Sequence, residues 1–356
     1  MDNSNLNNIK QLLELAVQRR ASDIFIVAGR QITFKVNGEM RMLNEEIMMP
    51  KDTGDVVRDI YRLAEDRDIA RLLEVGDDDF SFSLTGVSRF RVSTYKQRGS
   101  LAAVIRVIAM ELPDPVQLGI SQSVLKLCNM KNGLVLVTGP AGSGKSTTLA
   151  CIIDKINEER ANHIITLEDP LEFLHRHKKS IVSQREVSSD TVSYLAALRA
   201  ALRQSPDVIL LGEMRDYETI NTVMTAAETG HLIFSTLHTI GATNTVNRII
   251  DVFPANQQRQ IAEQLASVLQ AIVSQRLIPD VNGHLIPVFE IMTMTPAVRN
   301  MIRENKVHQI DGLIYSSANP QMMSMDTSLL GLYKEGKITR DTALSYATNP
   351  DMLSRK

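Results

Sequence analysis

Eight residues constrain this chain more than any others: Gly139-Pro140-Ala141-Gly142-Ser143-Gly144-Lys145-Ser146. They follow an apolar run, Leu134-Val135-Leu136-Val137, and lead into Thr147-Thr148-Leu149-Ala150, which reads as the start of a helix. This is the G-x-x-x-x-G-K-[ST] pattern in the strand–loop–helix setting it requires. Gly139, Gly142 and Gly144 let the backbone take positive φ and bring N–H groups close to a polyphosphate. The helix that follows aims its positive dipole end and its unpaired N–H groups at the same anion. Lys145 reaches the β- and γ-phosphates, the Ser146 hydroxyl ligates Mg²⁺, and Ser143 and Thr147 complete the nucleotide-binding set.

A chain of 356 residues has room for about two domains with sizeable cores. A hydrophobic content of 44% and a charged content of 22% suit a globular protein in water. The net charge of −2 gives no global attraction to nucleic acid or anionic membrane. With no tryptophan and 4% aromatics, a base-stacking surface is disfavoured. Cys128 and Cys151 lack CxxC spacing, which fits a reducing, cytoplasmic compartment. The polar N-terminus does not resemble a signal peptide, and no apolar stretch approaches the ~20 residues of a membrane span. Membrane association is therefore expected only through a partner.

Along the chain, Leu6, Ile9, Leu12, Leu13 and Ala16 predict a helix over 5–20. Strands are predicted over 22–27 and 32–36, with Asn37-Gly38 turning into 39–43. A helical stretch over 51–74 and an acidic turn, Gly76-Asp77-Asp78-Asp79, precede three strands at 80–84, 88–95 and 100–107. This first part is expected to be a small α+β domain with an antiparallel sheet, residues 1–112. Pro113-Asp114-Pro115 marks a linker over 113–118. From 119 the pattern changes to apolar runs at 134–137, 164–167, 208–211 and 232–235, alternating with helices. That alternation predicts an α/β domain with a parallel sheet covered on both faces. From 255 onward the pattern reads as mostly helical.

Other positions carry chemistry. Glu168 ends the apolar run Ile164-Ile165-Thr166-Leu167, where open α/β sheets bind ligands. It either orients or deprotonates a water aimed at the γ-phosphate, or belongs to a solvated Glu-Asp-Pro turn. Val208-Ile209-Leu210-Leu211-Gly212-Glu213 has the Walker B form, with Glu213 on the Mg²⁺ side and acting through water. His238 ends another apolar strand and is a γ-phosphate contact or a capping residue, and His231 lies at the opposite end. No His or Cys spacing suggests zinc. Arg89 and Arg91 share a strand face. With Arg98 and Arg106, they either neutralise γ-phosphate charge, in cis or from a neighbouring subunit, or form a solvated face paired with Asp77–Asp79.

With these motifs assembled, the chain resembles the PilT-type retraction ATPases of type IV pili, within the secretion-ATPase superfamily, over nearly its whole length. Ala21-Ser22-Asp23 resembles the family's N-terminal opening. Arg89-Phe90-Arg91-Val92 and Val104-Ile105-Arg106 resemble its arginine-bearing strands. Residues 139–148 resemble its Walker A, 167–173 its Asp box, 212–216 its Walker B and 228–239 its His box. Ala297-Val298-Arg299-Asn300-Met301-Ile302-Arg303-Glu304 resembles the C-terminal motif tied to retraction.

The resemblance implies a PAS-like N-terminal domain, a RecA-like ATPase domain with a helical C-terminal region, and a homohexameric ring. ATP is then held between the two domains of a subunit. It also implies that Lys145 and Ser146 bind phosphate and Mg²⁺, that Glu168 activates water and Glu213 supports the metal, that His238 senses the γ-phosphate, and that Arg91 and Arg106 swing in on closure. Which of Glu168 and Glu213 is the base stays open. The implied partners are an inner-membrane pilus platform protein and a paralogous ATPase, with the ring peripheral at the inner face of the membrane. Ala141 replaces the family's usual Thr, changes at Val298 and Met301 roughly keep volume, and Lys96-Gln97-Arg98-Gly99 is compressed, so Arg98 receives no role. A pilus-extension or type II secretion ATPase is the alternative, although such relatives carry a longer N-terminal region and a tetracysteine zinc motif. A nucleic-acid motor is disfavoured by charge and aromatic content, and a non-catalytic nucleotide-binding subunit by intact Lys145, Glu168 and Glu213.

Overall fold

The computed structural model describes residues 9–108, 112–319 and 321–350. Two compact units divide the chain: 1–111 with 172–174, and 112–171 with 175–356.

The first unit is built from α1 (Ile9–Gln18), β1 (Ala21–Ile26), β2 (Thr33–Val36), β3 (Glu39–Met42), α2 (Pro50–Leu63), α3 (Ala70–Val75), β4 (Asp77–Leu84), β5 (Ser88–Gln97) and β6 (Ser100–Ile108). Its strands form one antiparallel sheet in the order β3-β2-β1-β6-β5-β4. Asn37 and Gly38 both have positive φ, 53° and 83°, as a two-residue hairpin with the right twist demands. Arg98 and Gly99, at 49° and 82°, repeat that turn between β5 and β6, which explains the compressed spacing there. Ile9, Leu12, Leu13 and Ala16 place one face of α1 in the core with Ile24, Phe34, Phe90 and Ile105. Leu6 lies outside the described residues.

Two expectations fail in this unit. The helix over 51–74 is two helices, because Glu65 and Asp66 take left-handed φ of 58° and 53° and break the turn. The acidic turn is the start of β4 rather than a loop. Asp78 is buried there and accepts two bonds from Arg67, at 3.1 and 3.2 Å, and one from Tyr61 at 3.0 Å. It therefore pairs with Arg67 and not with the arginines of β5. Burial pushes the Tyr61 phenol up to about 12, so it stays a donor. Asp78→Ala is expected to cost about 1–3 kcal/mol by stranding these partners, read as a lower urea midpoint by circular dichroism.

The second unit contains α4 (Gln122–Leu125), β7 (Gly133–Thr138), α5 (Lys145–Glu159), β8 (His163–Glu168), β9 (Ile181–Glu186), α6 (Tyr194–Ala201), β10 (Val208–Leu211), α7 (Tyr217–Glu228), β11 (Leu232–Leu237), α8 (Ala242–Asp251) and α9 (Gln258–Val268). β12 (Leu269–Pro279), β13 (Leu285–Thr293), α10 (Pro296–Arg303), α11 (Ile310–Ser316), α12 (Met325–Lys334) and α13 (Arg340–Tyr346) follow. The sheet order is β13-β12-β7-β11-β10-β8-β9, parallel except for β13.

The apolar runs are continuous because both faces of this sheet are covered. Val135, Val137, Val208, Leu210 and Phe234 pack on α5 through Leu149, Ile152, Ile153 and Ile156. Leu134, Leu136, Ile209, Leu211 and Ile233 pack on the other side against α6, α7, α9 and α10. The mostly helical expectation after 255 is overturned at 269–293, where two strands extend the sheet beyond β7. β12 follows α9 without an intervening residue, so no turn signal separates them.

Candidate nucleotide site

β7, β11, β10 and β8 lie side by side and parallel, so their carboxyl ends share one edge, where open α/β sheets bind ligands. Each strand delivers one motif to that edge: the Gly139–Ser146 loop, His238, Glu213 and Glu168 respectively. Backbone bonds tie the segments together. Gly139 N donates to Leu237 O at 3.3 Å, Met214 N to Thr236 O at 3.2 Å and Gly212 N to Leu167 O at 2.8 Å.

The loop is bent as its spelling requires, with φ of 142° at Gly139, 75° at Gly142 and 81° at Gly144. α5 starts at Lys145, which is buried and donates through Nζ to Gly139 O and Pro140 O, both at 3.0 Å. Ser146 and Thr147 are half-buried in the same helical turn. Thr138 Oγ1, at the loop entry, and Ser143 Oγ, within the loop, are buried without a hydrogen-bond partner.

Glu213 is held from two sides. Arg215 Nη2 lies 2.5 Å from its Oε1 and His238 Nε2 lies 3.5 Å from its Oε2. The hydrogen bond to Glu213, then its charge, raises the Arg215 pKa. Only 13% of the Glu213 side chain is exposed, and its Oε2 is a buried acceptor without a hydrogen bond. That oxygen, and the Ser146 hydroxyl in the first turn of α5, are hard donors of the kind that suits a hydrated Mg²⁺, which keeps several waters and takes few protein ligands. Among the described residues no group of three or more His, Cys, Asp or Glu is arranged to hold a metal unaided. Glu168 is half-buried, with Gln184 Nε2 at 3.5 Å from its Oε1. Tyr194 sits among these acids. Burial first, then the charges of Glu213, Asp169 and Glu168, raise its pKa and keep the phenol protonated.

The residues at the other end of the strands are structural. Asp207 Oδ2 accepts from His163 N at 2.8 Å, and His231 Nδ1 lies 2.9 Å from Ala226 O. Arg91 and Arg106 belong to the first unit, where they are direct cross-strand partners on β5 and β6. Arg106 Nε donates to Asp23 Oδ1 at 2.9 Å. In the C-terminal motif, Arg299 of α10 donates to the Ala266 and Ser267 carbonyls that end α9, the latter at 3.0 Å. It caps that helix as a cation at a C-terminus does. Burial, then Arg303, lowers its pKa.

Three residues of the site escaped the sequence reading. Arg215 stands inside the Walker B segment, and its spacing from Glu213 was a usable signal. Tyr194, whose hydroxyl packs against Gly212, and Gln275, which packs against Gly139 and Gly144, carried none, because they come from α6 and β12.

The chain matches the family model described as Type II/IV secretion system protein over residues 2–285. It is 42% identical over 344 residues to the type IV pilus retraction ATPase PilT of Pseudomonas aeruginosa, covering 97% of this chain and 99% of that one. It is 42% identical over 349 residues to the twitching motility protein of Neisseria gonorrhoeae, covering 98% and 92%. Among solved structures, the pilus retraction motor PilT with bound ADP superposes with a TM-score of 0.88 at 45% identity, covering 98% of this chain and 99% of that one. By the family model over residues 2–285 and by 42% identity over nearly the whole of both chains, the chain belongs to the Type II/IV secretion system protein family, in its PilT-type branch.

Proposed function

We propose that this chain hydrolyses ATP with Mg²⁺ and couples turnover to retraction of a type IV pilus. The observation that supports this best is the meeting of Lys145, Glu168, Glu213 and His238 at one sheet edge, in a chain that aligns nearly end to end with a pilus retraction ATPase. We assign 1–112 as the PAS-like domain, 113–118 as the linker and 119–356 as the RecA-like domain.

Lys145 exchanges the Gly139 and Pro140 carbonyls for the β- and γ-phosphate oxygens. The N–H groups of Gly142, Ser143, Gly144, Ser146 and Thr147 line the same anion, at the positive end of α5. Ser146, and Glu213 through water, would hold Mg²⁺, which would supply positive charge beside the phosphates. Glu168 takes the proton of the attacking water, and Glu213 is the alternative base. His238, already beside Glu213, reports whether the γ-phosphate is present. Arg91 and Arg106 neutralise the charge that spreads over the transferring group, in the same subunit or a neighbour's.

Force follows from differential affinity: nucleotide does work only by favouring one conformation over another. The assembly is a homohexamer at the cytoplasmic face of the membrane. It reaches the membrane through a pilus platform protein and works beside a paralogous ATPase. Among the described residues no helix is long and apolar enough to cross a membrane. Cells carrying Glu168→Gln in place of this chain are expected to extend pili and fail to withdraw them. Retraction at the normal rate in those cells would count decisively against the assignment.

A further inference from the structure

We propose that Gln275 of β12 is a positioning residue for the phosphate-binding loop. The inference rests on the ATP-hydrolysis function above and adds a residue to its machinery. β12 lies beside β7 with Ser274 opposite Thr138, so the next residue, Gln275, falls alongside the point where the loop leaves β7. Gln275 is 2% exposed. Its Oε1 accepts from Thr148 Oγ1 at 2.8 Å, in the first turn of α5. Its main-chain oxygen lies 2.2 Å from where a Cβ on Gly139 would stand, and its Nε2 lies 2.9 Å from the corresponding point on Gly144. One residue therefore abuts the loop's entry, its exit and the helix it feeds.

The physical need is clear. Gly139, Gly142 and Gly144 give the loop its left-handed bends, and glycine loses the most conformational freedom on ordering. A loop of this kind presents N–H groups to phosphate only if something else holds it, and preorganisation of donors is what makes such a site bind. Gln275 supplies a wall at both glycine ends and a buried hydrogen bond to the helix. The closeness of the Gln275 main-chain oxygen also explains why no side chain fits at Gly139, whereas at Gly144 the left-handed φ of 81° disfavours one. Gln275 touches the loop and acts on phosphate only through it.

A buried hydrogen bond with a merely structural role lowers the melting temperature and leaves nucleotide affinity alone. A positioning role moves KM for MgATP. Thr148→Val and Gln275→Leu are each expected to raise that KM about five- to twentyfold, with kcat within about threefold of the parent. Thr148→Ser, which keeps the hydroxyl, is expected to retain the parental KM. The double variant is expected to be no worse than the weaker single, because both remove one interaction. If Gln275→Leu does not fold, the Thr148 pair decides alone.

A folded Thr148→Val with parental KM, or losses that multiply in the double variant, overturns the inference. Calorimetric titration with ADP separates the two layers of argument. If the parent binds ADP without hydrolysing ATP, the hydrolysis assignment fails, and the ADP affinities of the Thr148 variants still decide the role of Gln275.

Discussion

Lys145→Ala is expected to reduce turnover of MgATP by at least about a thousandfold, the lower end of what loss of a transition-state cation costs in phosphoryl transfer. The geometry explains the size of the effect. The ammonium is buried, with 8% of the residue exposed, and it sits on the loop through Gly139 O and Pro140 O at 3.0 Å each. It is thus already desolvated and already at the loop, so little reorganisation precedes its transfer to phosphate. Lys145→Arg is expected to fail almost as badly, because a planar fork does not fit a cradle shaped for a point charge. Pro140 is exposed, and the buried Gly139 carbonyl that loses its donor costs about 1–3 kcal/mol, so both variants are expected to fold with reduced stability. Phosphate release at saturating ATP and Mg²⁺, with circular dichroism as the folding control, checks this. Turnover by Lys145→Ala at the parental rate removes the basis for assigning the loop to catalysis.

The parts of the site that could be read from the sequence are those whose chemistry is local. The loop announces itself because eight adjacent residues must satisfy one anion. The four central strands announce themselves because burial on both faces leaves runs that are mostly apolar, wholly so in Val208–Leu211. β12 fails that test: Ser274, Gln275 and Arg276 interrupt its apolar run, yet Ser274 and Gln275 are buried. Ser274 Oγ accepts from Gly241 N and Gln275 Oε1 from Thr148 Oγ1, contacts that span 33 and 127 residues and leave no periodicity. β9, Ile181–Glu186, is an edge strand with a polar sequence and was missed for the same lack of an apolar run. The start of β4 was missed because three aspartates argue against a strand. There, Arg67 neutralises the middle one and Tyr61 donates a hydrogen bond to it, both from outside the segment.

The sharpest test of the active edge comes from the two carboxylates compared with each other, since they lie at the ends of neighbouring strands and are assigned different roles. Glu213→Gln is expected to keep nucleotide binding, to lose turnover by about 10²–10⁴-fold and to recover part of it at high Mg²⁺. The reason is its surroundings. Arg215 at 2.5 Å and His238 at 3.5 Å fix the Glu213 carboxylate, and its unbonded Oε2 is the oxygen available to a hydrated cation. Neutralising it releases Arg215 and His238 together and weakens the metal's outer sphere. Glu168 ends β8 with Gln184 Nε2 at 3.5 Å from its Oε1, and its proposed part is to take the proton of the attacking water. Glu168→Gln is therefore expected to lose turnover by a similar factor of about 10²–10⁴, with an unchanged Mg²⁺ requirement and with ATP retained uncleaved. Titrating Mg²⁺ against phosphate release for the two variants separates the roles. If Glu168→Gln is the one rescued by Mg²⁺ and Glu213→Gln is not, the assignments exchange. Then the carboxylate flanked by Arg215 and His238 is the base.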